Sequence, residues 1–267
     1  MTRLKVFLFS LLIAASAFAA DQQPPKPIDT CKVQVPYGQP STVAGHPVIC
    51  RNAYILESDP VAKIPNWVAW TLTPEHAIGC VPRTNAFAAD QSLSVAQRSD
   101  PKDYVGSGYD QGHLANDADM SWDPQVEHES FYMSNMSPQL PSVNRGTWKN
   151  LESSARAWVY QTKHPHTIYA GNVYSASSKT IGADKVVVPD FLFKIVIDDT
   201  TKKSYAFLFP HKDGLDSDFT KYQVTVADVE KASGITFPVP DNKTVKNSPI
   251  VADLKTLAAD KKKQCKE

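Results

Sequence analysis

The order of elements legible in this 267-residue chain predicts an α+β fold, a central antiparallel β-sheet with flanking helices. Three observations carry that expectation. Residues 191–197 and 205–209 are rich in β-branched and aromatic side chains, and the polar stretch between them reads as the turn of an antiparallel hairpin. Across residues 144–161, Trp148, Leu151, Ala155, Trp158 and Val159 recur with the i, i+3, i+4 rhythm of an amphipathic helix. No internal repeat or long linker divides the chain, so these elements share one core.

The first 19 residues read as a signal peptide. Arg3 and Lys5 form a basic start, residues 6–15 an apolar run, and Ala17-Phe18-Ala19 a cleavage site. The run is too short to span a bilayer, and no later stretch has the length of a membrane helix, so an exported protein without a membrane anchor is expected. Removing 19 of 267 residues leaves 248, a fair size for a single domain over residues 20–267. Residues 20–29, rich in Pro and Gln, are expected to be disordered. Of 28 basic side chains, loss of Arg3 and Lys5 leaves 26 against 28 acidic ones, which excludes a bulk polycation. Any nucleic acid must be held by a local patch. Cys31, Cys50, Cys80 and Cys265 make an even count suited to two disulfides in an exported chain. Three pairings are open; Cys31–Cys50 closes a short loop, and Cys80–Cys265 would tie the tail to the body. No Cys-x-x-Cys spacing favours zinc.

In chain order, residues 54–56 and 67–72 read as strands and residues 99–108 as a loop. The amphipathic helix ends before Pro165, and residues 167–170 form another strand. Residues 226–233 read as a short helix stopped by Gly234. The tail, residues 251–267, is expected to be helical, with Lys261, Lys262 and Lys263 at the end that favours cations. His128, His164 and His166 read as solvated histidines.

The polar residues of the middle stretch make sense together as a device for cutting phosphodiester bonds. Asp110-Gln111-Gly112-His113 places a histidine, a base near neutral pH, after a glycine that permits close backbone approach. Asn144 falls on the apolar side of a regular helix, where its amide needs a partner; its hard oxygen suits Mg²⁺. Glu152 lies two turns on, placed to hold metal-bound waters, and Arg156 one turn further, placed to hold a phosphate. On a regular helix Arg145 and Lys149 point away from Glu152.

These residues carry a resemblance. Asp110-Gln111-Gly112-His113, Ser134-Asn135-Met136-Ser137-Pro138-Gln139, and the run from Asn144 through Trp148, Leu151 and Glu152 to Arg156 resemble the motifs of the DNA/RNA non-specific endonucleases, the sugar-non-specific ββα-metal nucleases. The Asn-to-Glu gap of eight and the Glu-to-Arg gap of four both match. The likeness is sharp over about 50 residues and looser elsewhere, at residues 67–73, 188–194 and 226–234. It implies a ββα-metal (His-Me finger) site and a Mg²⁺-dependent endonuclease, with Mn²⁺ a substitute ion. DNA, RNA or both are the implied substrates, and 5′-phosphate ends the implied products. It also implies His113 as general base, Asn144 as direct metal ligand, Glu152 acting through water and Arg156 on phosphate. Asn135 and Asp110 would shape the motif. Arg83 resembles by position an arginine that contacts substrate; a solvated loop arginine fits that stretch equally well. One departure stands out. Gln111 occupies a place where the family usually has Arg, so a neutral donor replaces a charged one at the phosphate. Two other readings stay open: a nucleic-acid-binding protein with a decayed site, and another exported metal-dependent phosphoesterase.

Overall fold

The computed structural model describes residues 22–249 and 251–266. The expected signal peptide, residues 1–19, lies outside them. Strands β1 (Val48–Cys50), β2 (Tyr54–Ser58) and β3 (Pro65–Leu72) come first. A long excursion follows, holding β4 (Asp110–His113), the short helices α1 (Asp117–Met120) and α2 (Pro124–Ser130), β5 (Met136–Gln139) and α3 (Lys149–Thr162). The chain then returns as β6 (His166–Val173), the small pair β7 (Thr180–Ile181) and β8 (Val186–Val187), β9 (Phe191–Asp198), β10 (Lys203–Pro210) and β11 (Gln223–Val224). Helices α4 (Val226–Ser233) and α5 (Leu254–Gln264) close it.

Seven strands form one sheet in the order β1-β2-β3-β6-β9-β10-β11, every neighbour antiparallel. The expected α+β class and hairpin are therefore present; Phe193 pairs with Leu208 and Val196 with Tyr205 across β9–β10. The sheet is covered on both faces, which is why its strands read as continuous apolar runs rather than alternating ones. Val68, Trp70, Ile168, Leu192 and Val196 pack on one face against Trp148, Leu151, Trp158 and Val159 of α3 and the turn before it. Trp67, Tyr169, Phe193 and Ile195 pack on the other against Val226 and Val229 of α4 and Phe237. Each such large apolar side chain, fully buried, contributes about 1.5–3 kcal/mol. α4 has the ends its sequence requires: Thr225 and Asp228 form a capping box, and Gly234 takes the left-handed conformation at φ 74°.

β3 pairs directly with β6, Trp67 opposite Gly171 and Leu72 opposite His166. Everything between them is an insertion whose two ends are anchored on adjacent strands. β4, β5 and α3 of that insertion form a ββα unit lying on one face of the sheet.

Four expectations need correction. Residues 22–29 are not disordered. Gln22 bonds to Ala89 O and Gln91 N, both at 2.9 Å, Gln23 O accepts from Arg51 Nη1 at 2.8 Å, and Lys26 N donates to Cys50 O at 2.9 Å. An extended Pro-rich segment leaves its polar groups free, and here the body supplies both donors, Arg51 Nη1 and Gln91 N, and acceptors, Ala89 O and Cys50 O. Residues 99–108 are not wholly loop, because Asp100 caps a short 3-10 turn at Pro101–Tyr104. His164 is only partly solvated and His166 not at all. His164 Nδ1 lies 2.9 Å from Asp198 Oδ2, and His166 is fully buried in β6. The helix does not run regularly from Asn144 either. Val143–Trp148 is a wide π-type turn broken at Gly146 (φ −105°, ψ −116°), and α3 begins at Lys149.

Both disulfides pair as the loop lengths suggested, Cys31–Cys50 and Cys80–Cys265, with Cα–Cα separations of 5.9 and 5.3 Å. The second ties α5 back beside Ile78 and Ala157, which pack with Leu257. Among the described residues no helix is long and apolar enough to cross a membrane.

Candidate active site

The site begins with the pairing of β4 and β5, which sets Gly112 opposite Ser137 and His113 opposite Met136. The approach at Gly112 is close enough that a Cβ there would lie 2.2 Å from Cδ of the buried Gln139. Glycine is thus dictated by packing. His113 follows at the end of the strand, its carbonyl accepting a hydrogen bond from Trp148 Nε1 at 3.3 Å. Phe131 meets its ring edge-on at a centroid distance of 4.9 Å, and Phe87 at 5.6 Å. These walls exclude water and push the imidazole pKa down to about 3, with Asp117 opposing the shift and Arg83 adding to it. The ring is neutral at pH 7, and its Nε2 has no hydrogen-bond partner.

Asn135 is fully buried where β4 leaves the sheet pair. Its Nδ2 donates to Ala115 O and Ser130 O, both at 2.8 Å, and its Oδ1 accepts from Ala115 N at 3.0 Å. All of its bonds order the backbone around the histidine.

Asp110, at the other end of β4, fixes Asn144. Asn144 Nδ2 donates to Asp110 Oδ2 at 2.8 Å. Arg145 straddles the same carboxylate, at 2.8 Å from Nε to Oδ2 and 2.6 Å from Nη2 to Oδ1. A carboxylate accepts only, so it dictates the amide's orientation. Asn144 Oδ1 is left without a hydrogen-bond partner among the described residues.

Glu152 and Arg156 lie on α3 beside the sheet. Glu152 Oε1 is 3.4 Å from Nζ of Lys194, a lysine of β9 that is 1% exposed and sits 4.3 Å from the ring centroid of Trp148. Burial raises the Glu152 carboxyl above its ordinary range, while Lys194 and Arg156 oppose the shift. Arg156 Nη1 bonds to Asn116 Oδ1 at 2.8 Å and Asp119 Oδ1 at 2.9 Å, and Asp119 Oδ2 accepts from Trp70 Nε1 at 3.1 Å. Arg156 is thus already tied through Asp119 to the sheet. Arg83, an exposed loop residue, forms an ion pair with Asp117 and lies 4.8 Å over the Phe131 ring.

These elements meet around one cavity of about 430 Å³. His113, Asn144, Glu152, Arg156, Gln111 and Arg83, all proposed from sequence, line it, while Asp110 and Asn135 support it from behind. Asn116, Asp117, Arg145 and Lys149 line it too. The helical-phase reading that turned Arg145 and Lys149 away from Glu152 fails: the non-helical Gly146 resets the phase of Arg145, and Lys149, three residues before Glu152 within α3, shares its face. Lys194 and Asp119 were missed altogether. A signal for Lys194 existed, a lone basic residue within the apolar run of β9. A second cavity of about 450 Å³ is lined by His46, Asp59, Asn66 and Tyr174, which bond to one another.

The donor set suits a hard, largely hydrated cation. Among the described residues no three His, Cys, Asp or Glu side chains converge as metal ligands. What converges is one free amide oxygen with a buried carboxylate on the same cavity, a pattern that fits Mg²⁺, which keeps most of its waters.

A model of the family described as DNA/RNA non-specific endonuclease matches residues 35–243. The chain is 31% identical over 202 residues to human mitochondrial endonuclease G, covering 70% of this chain and 68% of that one. It is 30% identical over 239 residues to a nuclease of Serratia marcescens, covering 85% and 86%. A chain from the crystal structure of the EndoG/EndoGI complex superposes with a TM-score of 0.73 at 26% identity, covering 82% of this chain and 96% of that one. With two-thirds or more of each chain covered, the chain belongs to the DNA/RNA non-specific endonuclease family, enzymes that hydrolyse phosphodiester bonds and in general depend on a metal ion.

Proposed function

We propose that this chain is an exported, Mg²⁺-dependent endonuclease that cuts DNA, and RNA as well, with little regard for sequence and leaves 5′-phosphate ends. The observation that carries this reading is the pairing of two unpartnered atoms on one cavity, His113 Nε2 and Asn144 Oδ1, each held by its own support.

Asn144 Oδ1 would hold Mg²⁺ directly, and Glu152 would orient water around it. When bound, the ion offsets negative charge on the phosphate and on the leaving oxygen. His113 Nε2 takes a proton from the attacking water, with its ring held by Phe87, Phe131 and the Trp148 bond to its carbonyl. Asp110 keeps the Asn144 amide from turning over. Gln111 reaches the cavity with a weak bond of 3.4 Å to Pro101 O, leaving its amide available to a phosphate oxygen. Nothing in this scheme reads the edges of bases, so low sequence specificity follows. Two disulfides and the signal-like residues 1–19 support export.

A plasmid-nicking assay run beside a small phosphate ester, with and without EDTA, tests the reading. Nicking that needs Mg²⁺, stops with EDTA and spares the ester is expected. Plasmid binding without cleavage, or cleavage of the ester alone, would overturn it. N-terminal sequencing of protein recovered outside the cytoplasm tests export, with a start near Ala20 expected.

A further inference from the structure

Phe87 and Phe131 enclose the His113 ring, and both belong to segments stitched together beside it. Ala88 N donates to Phe131 O at 3.3 Å, and Met133 N to Ala88 O at 2.9 Å. The stitch ends at Asp90, which is fully buried. Its Oδ2 accepts from Ser134 Oγ at 2.5 Å. Its Oδ1 accepts from Arg51 Nη2 at 2.6 Å, and from the amide and hydroxyl of Ser92 at 2.9 and 2.6 Å. Arg51, 2% exposed, stands in the turn between β1 and β2 and lies 4.7 Å over the Tyr132 ring. Burial alone would raise the Asp90 carboxyl, but Arg51, Ser134 and Ser92 outweigh it and hold it below its ordinary range.

One carboxylate therefore ties three pieces of chain. They are the edge of the sheet, the segment that carries Phe87, and the turn Met133–Asn135. The last residue of that turn, Asn135, orders Ala115 and Ser130 around the histidine. A buried ion pair adds little stability over an apolar pair of the same volume, so stability alone does not account for two charges here. Asp90 does not line the active cavity, and it acts only through these neighbours.

Resting on the nuclease reading above, we propose that Asp90 is a positioning residue for this reaction. Held by Arg51, it fixes the Ser134–Asn135 turn and the Phe87 wall, and so keeps the His113 ring dry and aimed into the cavity. The charged groups around the ring are Asp117 and Arg83 beside it, and Arg145, Lys149, Glu152 and Arg156 across the cavity. None is altered in the variants below, so a change in the ring's protonation reports the wall.

Two readouts separate positioning from bulk stability. The first is titration of the His113 ring by NMR in the histidine-labelled mature chain, in EDTA and without substrate. In the wild-type chain burial holds the ring at about 3, so it should stay neutral through the weakly acid range. In Asp90→Asn and Ser134→Ala, water entering behind a loosened Phe87 should raise it toward the ordinary value of about 6.5. Ser134→Thr keeps the hydroxyl and should restore the wild-type titration. Asp198→Asn, a destabilising change in β9, should leave it unmoved. The second readout is plasmid cleavage with Mg²⁺, where Asp90→Asn and Ser134→Ala should lose kcat by on the order of 10- to 100-fold at unchanged KM.

If Asp90→Asn, which leaves Arg51 buried without its counter-charge, does not fold, Ser134→Ala decides. A His113 titration in Ser134→Ala equal to wild type overturns the proposal. So does a shift of equal size in Asp198→Asn, or an unchanged kcat beside a shifted titration. A wild-type chain that never cuts defeats the nuclease reading, and the titration then still decides whether Asp90 holds the ring.

Discussion

The β9–β10 hairpin and the inserted ββα unit are both enclosed by protein, but they are built from opposite materials. β9 buries Leu192, Phe193, Ile195, Val196 and Ile197, and its charged members have partners, Lys194 with Glu152 and Asp198 with His164. The insertion buries Asn116, Asp119, Asn135, Gln139 and Thr147. It leaves His113 Nε2, Asn116 Nδ2, Thr147 Oγ1 and both amide atoms of Gln139 without partners. A buried polar atom without a partner costs about 1–3 kcal/mol. The insertion is therefore locally expensive and held by the sheet, through Trp70 on Asp119, Lys194 on Glu152 and the packing of α3. Stability and reactivity occupy different regions joined at a few contacts, and substitutions should separate them.

The largest effect should come from the insertion. His113→Ala is expected to lower kcat by roughly 100- to 10 000-fold, the usual contribution of a positioned base. The folded chain should persist, since the sheet core is untouched. Single-turnover cleavage beside circular dichroism checks both; a cleavage rate equal to wild type removes His113 from the mechanism. Its pH dependence sharpens the test. Burial keeps the ring neutral far below pH 6.5, so kcat/KM should show no acid limb between pH 6 and 7. An anionic phosphate beside the ring favours the charged imidazole, so the limb in kcat should lie at higher pH than the limb in kcat/KM.

The same contrast explains what the sequence made legible. The strands were readable because both faces of the sheet are apolar, and α4 because Thr225, Asp228 and Gly234 mark its ends. That Glu152 and Arg156 face one cavity was readable because a gap of four keeps them on one side of α3. The helical phase across Gly146 was not, since a non-helical residue leaves no mark in apolar periodicity, and so Arg145 was misplaced. Lys149 was misplaced for a simpler reason: three residues before Glu152 in α3, it shares that residue's face. The partners of Arg156 and Glu152 were also hidden. Asp119 and Lys194 lie 37 and 42 residues away in sequence, and only the return of the chain through β6 and β9 brings the latter close. The anchoring of residues 22–29 was missed because Pro-rich composition reports what a segment cannot do alone, not what Arg51 can do for it.

At the join itself, Lys194→Met should destabilise by about 3–5 kcal/mol, because Glu152 is left buried without its counter-charge. Adding Glu152→Leu should recover most of that stability, as an apolar pair of similar volume replaces the ions, while cleavage stays lost. Denaturant titration of both single variants and the double variant checks this. If cleavage returns with stability in the double variant, the division between the two regions is false.

A smaller effect is expected within the sheet, in acid. Burial would raise the Asp198 carboxyl, but hydrogen bonds from His164 and the amides of Thr201 and Thr200 outweigh it and hold it at about 2. The unfolded group titrates near its ordinary value, about 3.9. A depressed carboxyl adds stability that is complete above the unfolded value and is lost as pH falls through the folded one. Asp198→Asn should therefore cost about 2 kcal/mol above pH 4 and progressively less toward pH 2. Urea midpoints across that window measure it, and equal midpoints at pH 6 would show that the His164 contact contributes nothing.

The smallest change should come at Gln111, although it departs most visibly from the family motif. A charged donor to a phosphate oxygen is roughly twice as strong as a neutral one, so in an otherwise uncharged cavity Gln111→Arg would raise turnover strongly. The cavity already holds Arg145, brought round by the break at Gly146, and Lys149. A fourth guanidinium would meet existing positive charge, and the gain should be below about tenfold, near 1 kcal/mol. kcat is measured on one DNA substrate at saturating Mg²⁺ for Gln111→Arg, Gln111→Ala and wild type. A gain above a hundredfold would show that Arg145 and Lys149 do not reach the transition state. Identical rates in all three would show that position 111 does not touch it, and that its 3.4 Å bond to Pro101 O is the whole of its role.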